Sequence, residues 1–499
     1  MIARRHAQVD PARHRLALYG LVALCAALIP VELGWVPLLQ LAWGFTLWQY
    51  LPSPIALALA LSIFLLCWRT PRIFMLRGLW WLHEFAQRRS SRPLRWFALL
   101  ALPPALWLMR EQIFLGDSKI LLFALASRDT KFYFPDVGAT YLLKLSFDLG
   151  RSLGIGGVEG VQALVCLAAV PCVLCFIRVG TYLTPSRGWA AFATALILLG
   201  GVFRIYAGHI EVYSVVLIGL GAYFWASLAH LRGHCKWTLP CFALGVGVWI
   251  HLCFLFLIPS LLLLSLISEP TRSPRQRAQQ WALGMIVGAS PIIAFLILLA
   301  LVGHAEDVLL AWNKLINWSE VGSGREHYET VWIRPWGQAE SGTKYVLYSR
   351  LHLKFLSNSF FLMAPAAVPV VFTYAVFAFR RLVSTPEAAF LTTASAAMVL
   401  YASIVRPVFG PYEWDLFIVT AVCLAALAAH LLANTNHSDS LQHLCLLLIG
   451  ATVFFVTIPW VMVGAHAHRV AGPFAIDALR ASPDGSFYDA FVRDLAPWL

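Results

Sequence analysis

Four short stretches keep ionisable side chains where an apolar chain has least reason to hold them. In REQIFLGDSK, Asp117 follows Gly116 between two hydrophobic runs. In GGVFRIYAGHIEVYS, Arg204, His209 and Glu211 share a gap too short to carry them far into solvent. His251 stands in the apolar stretch GVWIHLCF, and RPVFGPYEWDLF gathers Arg406, Glu413 and Asp415 around Tyr412 and Trp414. A carboxylate at a membrane surface can take a proton from a hydroxyl acceptor if its neighbours tune its base strength. An arginine can hold a phosphate through two parallel hydrogen bonds. Asp129 and Asp136, in the same loop as Asp117, are candidates for a second acid in more ordinary polar surroundings.

Each stretch also has a plainer reading. Asp117 alone fits a helix cap, and Arg204 with Glu211 fits a salt bridge closing a tight hairpin. His251 fits a structural histidine. Trp414 and Asp415 fit an aromatic belt with a capping acid, although that leaves the crowding of charge beside Arg406 unexplained. Ionisable groups at membrane depth are expensive and usually face an interior cavity, which weighs towards function for the Arg204 group.

The elements that must position these residues follow from composition. Of 499 residues, 60% are hydrophobic and 12% charged, and the mean hydropathy is +0.73. Too little charge is present to cover a soluble surface, and long apolar runs recur throughout. The expected fold is all-α, a polytopic transmembrane bundle of about 13 spans (11–13). They are placed at 16–36, 46–67, 95–109, 160–177, 188–203, 211–229, 238–250, 252–268, 281–302, 355–379, 388–405, 415–433 and 441–462. The pair 238–250 and 252–268 reads as a broken hairpin turning near His251, because that keeps Arg272, Arg275 and Arg277 inside, and Gly245 and Gly247 suit close helix packing.

With the N-terminus in the cytoplasm and the C-terminus outside, lysine and arginine concentrate in the inside loops, as the positive-inside rule requires. The net charge of +12 is thereby accounted for without nucleic acid. The run from Arg69 to Arg95, with seven arginines and one glutamate, reads as an anchor against anionic lipid. The outward stretches are 110–159, 204–210, 303–354 and 406–415, followed by a tail at 464–499. Cys172 and Cys175 form a CxxC inside an apolar run and read as packing residues, so neither a disulfide framework nor a zinc site is expected. No GxxxxGK[ST], GxGxxG, HExxH or GxSxG pattern occurs, which leaves nucleotide-driven pumps and serine or zinc hydrolases without support.

The passages FLGDS, GHIEVYSVVL, YVLYSRLHLKFLSNSFFLMAP and GPYEWDLF, together with the many spans, resemble the GT-C class of integral-membrane glycosyltransferases. That class includes the polyprenyl- or dolichyl-phosphate-mannose-dependent protein mannosyltransferases and the bacterial arabinosyl-type transferases. The resemblance implies transfer of a sugar from a polyprenyl-phosphate donor to a protein, lipid or glycan acceptor, with inversion. The site would face the periplasm from a bacterial inner membrane. It implies Asp117 as base, Arg204 and Arg406 as candidates for the lipid phosphate, and His209, Glu211, His251, His352, Glu413 and Asp415 around the substrate. No cofactor or metal is expected. The chain departs from the pattern in placing three spans before the acidic loop, so 1–95 reads as an addition to a core at 96–463. Ser118 and Lys119 also follow Asp117, where many relatives carry a second acid. The rival readings are a transporter or lipid flippase, for which inverted repeats would be expected, and a polysaccharide polymerase or ligase using a diphosphate-linked donor.

Overall fold

The computed structural model describes residues 92–111, 118–127, 136–184, 187–269, 271–304, 347–405 and 414–433, with a few isolated positions besides. The expected N-terminal addition lies almost wholly outside these residues. The 464–499 tail, Asp117, Asp129, Arg406 and Glu413 lie outside them entirely.

The described chain is helical. It runs through α1 (Arg92–Leu108), α2 (Ser118–Ala126), α3 (Val137–Ser152), α4 (Gly157–Leu183), α5 (Arg187–Leu198), α6 (Gly201–Tyr206), α7 (Tyr213–Leu231) and α8 (Thr238–Ile250). After a 3₁₀ segment (Leu252–Leu257) come α9 (Ile258–Ser268), α10 (Pro274–Leu301), α11 (Arg350–Met363), α12 (Ala367–Phe377) and α13 (Pro386–Ile404). A second 3₁₀ turn (Trp414–Phe417) leads into α14 (Ile418–Ala433).

Local chemistry sets several ends. Ser273 caps α10 in a reciprocal box with Gln276, and Thr385 caps α13; each is followed by a proline at the first helical position, where a missing N–H costs nothing. Gly200 separates α5 from α6 at φ 89°, and a Cβ there would meet the Met363 carbonyl. The expected span 188–203 is therefore broken at its end. Pro365 disfavours helical geometry at Ala364, which takes φ −138° and ψ 59°, and α11 and α12 meet at 115°. The expected straight span 355–379 is thus a bent pair.

The turn at His251 is a true reversal. Tyr223 and Ser260 share a hydrogen bond of 2.8 Å, and His230 and Ser268 one of 3.2 Å, so α9 runs parallel to α7 and opposite to α8. Because α8 and α9 are each short, these halves do not count as full spans. Five of the described helices are long and apolar enough to cross a bilayer, or six if the bent pair is one span. The protein is an integral membrane protein built on them.

Burial ranks these helices. The apolar window that includes α14 is 94% buried and that of α7 78%, whereas that of α10 is 17% buried. α14 is the centre of the bundle, and α10 turns Met285, Ile286 and Ile297 outwards, as a helix in contact with lipid tails does. α10 nevertheless comes close to α8: a Cβ on Gly245 would run into the Gly288 carbonyl. Small residues permit that crossing.

Candidate functional site

One end of the bundle collects the tail of α1, the α6–α7 turn, the reversal at His251 and the head of α14. The α6–α7 turn is held tightly. Tyr206 donates from its hydroxyl to the Ser214 carbonyl at 2.8 Å, and the Val212 N–H meets the Glu211 carboxylate at 3.4 Å. Gly208 takes φ 72°, and a Cβ there would strike Arg110. Glycine is therefore required both by the backbone region and by the close approach of the chain leaving α1.

That approach brings in a residue the sequence reading passed over. Glu111, six positions before Asp117, lies between Arg204 and His209. Arg204 Nη2 is 2.6 Å from one carboxylate oxygen of Glu111, and His209 Nδ1 is 2.6 Å from the other. His209 Nε2 in turn faces the Asp415 carboxylate at 3.8 Å. The result is a chain of alternating sign, Arg204–Glu111–His209–Asp415, with every member at most 5% exposed. A carboxylate at Nδ1 needs the ring proton there, which turns Nε2 towards Asp415. Burial alone would strip the proton from His209, but Glu111 and Asp415 outweigh it and hold the imidazole at about 9.

Arg204 therefore pairs with Glu111 and not, as the plain hairpin reading had it, with Glu211. Its Nε and Nη1 atoms have no hydrogen-bond partner among the described residues. Glu211 lies on the other side of the turn. The ligand atoms of His209, Glu211 and Asp415 are within 4.8 Å of one another, one nitrogen and two carboxylate oxygens. Such a set suits a divalent cation such as Mn²⁺ or Zn²⁺, with coordination positions left open.

The other described candidates have local duties. His251 accepts the Cys253 N–H at Nδ1 and so caps the 3₁₀ segment, and its ring lies tilted against Tyr213 with centroids 5.6 Å apart. His352 accepts the Tyr348 N–H at Nδ1. Its helix α11 packs on the turn that carries Asp415, through Phe355 and Phe360 against Phe417. Asp136 stands half-buried at the start of α3, with one carboxylate oxygen lacking a hydrogen-bond partner among the described residues. Burial pushes its carboxyl up to about 7, an effect that Thr140 only partly offsets. α3 covers the same end of the bundle, since Gly138 rests on Trp249, two residues before His251.

No protein-family model and no curated protein matches the sequence. Among solved structures, the chain is similar to ArnT from Cupriavidus metallidurans bound to undecaprenyl phosphate, at 11% identity and a TM-score of 0.45, over 74% of this chain and 77% of that one. It is also similar to the Archaeoglobus fulgidus oligosaccharyltransferase in its apo form, at 14% identity and a TM-score of 0.38, over 81% of this chain and 60% of that one. Likenesses this distant leave the chemistry to be argued from the side chains.

Proposed function

We propose that the protein is a membrane glycosyltransferase of GT-C type that moves a sugar from a polyprenyl-phosphate donor to an acceptor on the outer face. The observation that carries this reading is the buried Arg204–Glu111–His209–Asp415 chain at one end of a membrane bundle. Four ionisable groups at that depth are costly unless they serve a site. The sequence passages that resemble GT-C enzymes supply the reaction class.

In the proposed reaction, Asp117 takes the proton of the acceptor hydroxyl. The oxygen attacks the anomeric carbon, the bond from that carbon to the phosphate oxygen breaks, and the lipid phosphate leaves with the electron pair. Inversion follows from the single displacement. Because Arg204 is tied to Glu111, Arg406 is the first choice to stabilise the leaving phosphate, as fixed positive charge does in a dry site.

A second reading of the same site is metal-assisted transfer, favoured by the His209, Glu211 and Asp415 donor set. In it those three residues would hold a divalent cation, which would supply Lewis-acid charge to the departing phosphate. Chelation separates the two readings.

The test is purified protein in lipid supplied with a panel of radiolabelled polyprenyl-phosphate sugars, comparing wild type with Asp117→Asn. Transfer by wild type and its loss in the variant is the expected result. Wild-type transfer rates in Asp117→Asn would remove the base assignment. Ion-coupled uptake with no donor turnover would replace the enzyme by a transporter.

A further inference from the structure

We propose that Gln162 is a positioning residue, which sets the Glu111–His209 contact by fastening together the two chain segments that carry it. The inference deepens the functional reading above and rests on it for its kinetic arm. Gln162 lies in the second turn of α4 and is 4% exposed. Its Nε2 amide donates to the Glu111 carbonyl at 3.0 Å and to the Gly208 carbonyl at 3.2 Å, reaching 51 and 46 positions along the chain. The same two segments share one backbone bond, from the Glu111 N–H to the Ala207 carbonyl at 2.9 Å.

Two carbonyls from two separate segments converge on one side-chain nitrogen. Only a group with two N–H donors on one atom satisfies both, and an uncharged one does so without adding to the ionic chain beside it. Glutamate has no donor in its ionised form, asparagine is one methylene too short, and methionine has the length without the donors. The Glu111 carboxylate must hold two charge-assisted contacts of 2.6 Å at once, which leaves little tolerance for drift of its backbone. Gly208 closes the other side, because the two segments meet there with no room for a side chain. Gln162 thus sets the spacing between the segment that supplies Glu111 and the turn that supplies His209, by holding the backbone carbonyls of Glu111 and Gly208.

A residue that merely satisfies buried carbonyls would cost stability and nothing else. The distinguishing experiment uses the full chain in lipid nanodiscs and compares wild type with Gln162→Met and the milder Gln162→Asn. ¹⁵N-histidine spectra, with the His209 resonances assigned from His209→Gln, report the Nδ1 contact directly and need no substrate. The expected result is a shift of the His209 Nδ1 resonances towards a weaker hydrogen bond in both variants. Sugar transfer should fall on the order of 10²-fold in kcat for Gln162→Met, the scale of a displacement of about 1 Å, with donor KM changed less than about twofold. Unchanged His209 resonances in a folded variant would overturn the proposal, whatever the kinetics. If Gln162→Met does not fold, Gln162→Asn decides by the same resonances. Absence of transfer in wild type would count against the functional reading alone, because the spectra still test Gln162.

Discussion

Glu111 and His209 are 98 positions apart in the chain, yet Oε2 of one lies 2.6 Å from Nδ1 of the other. With Arg204 on its second oxygen, Glu111 is the hinge of the buried charge chain. Removing it strands a buried arginine. Glu111→Ala should cost about 3–5 kcal/mol, the usual penalty for breaking one side of a buried pair. Thermal unfolding in nanodiscs checks this. Pairing the change with Arg204→Met should recover part of the loss, and strictly additive effects of the two substitutions would show that the pair is not coupled.

The α8–α10 crossing gives a prediction about the fold. Gly245→Leu places a side chain where the Gly288 carbonyl already sits. Loss of about 1–3 kcal/mol is expected from the forced separation of the helices. A variant that melts with wild type would show that α10 can move away freely.

Asp136 predicts a pH dependence. Its carboxyl is raised from 3.8 to about 7 by burial, so the folded protein binds this proton more tightly than the unfolded chain. A carboxyl of that kind favours the fold most below pH 4, and its contribution is lost as pH rises through about 7. Melting temperature should therefore fall between pH 5 and pH 8, and Asp136→Asn should flatten the fall and raise the pH 8 value. A slope unaltered by the substitution assigns the dependence to another group.

Chelation tests the donor set at the α6–α7 turn. If His209, Glu211 and Asp415 hold a divalent cation, dialysis against EDTA should abolish transfer and Mn²⁺ should restore it. Glu211→Gln should then weaken Mn²⁺ binding, measured by electron paramagnetic resonance on the purified protein. Full activity in EDTA would leave the metal-free reading standing.

Much of this architecture could be read from the amino acids. The reversal at His251 follows from two short apolar runs around a histidine and from the charge of the loop beyond. The clustering of Arg204 and His209 was visible because ionisable residues stand out in an apolar chain, and Asp415 joined them from a separate stretch. Glu111 stands out less for a related reason: it sits beside Arg110 in an ordinary charged stretch, whereas Asp117 follows a glycine between apolar runs. The signal was present, since Glu111 directly follows the apolar run WFALLALPPALWLM and its arginine, and precedes Asp117 by six positions. Gln162 gave no comparable signal. A single amide near the start of a long apolar helix has no periodicity, and its partners are carbonyls, which every residue carries. The bend between α11 and α12 leaves no trace in hydropathy, which does not register direction, although Pro365 marks the place.

The position of Asp415 at the head of α14 has a consequence for biosynthesis. Arg204, Glu111 and His209 all leave the ribosome long before Asp415 does, yet α14 is the helix about which the rest packs. The nascent bundle must hold three ionisable groups in its unfinished interior until the last described helix enters. Completion of the charge chain is therefore a late event in assembly. A chain truncated before α14 would carry its arginine, glutamate and histidine without the carboxylate that completes the charge chain.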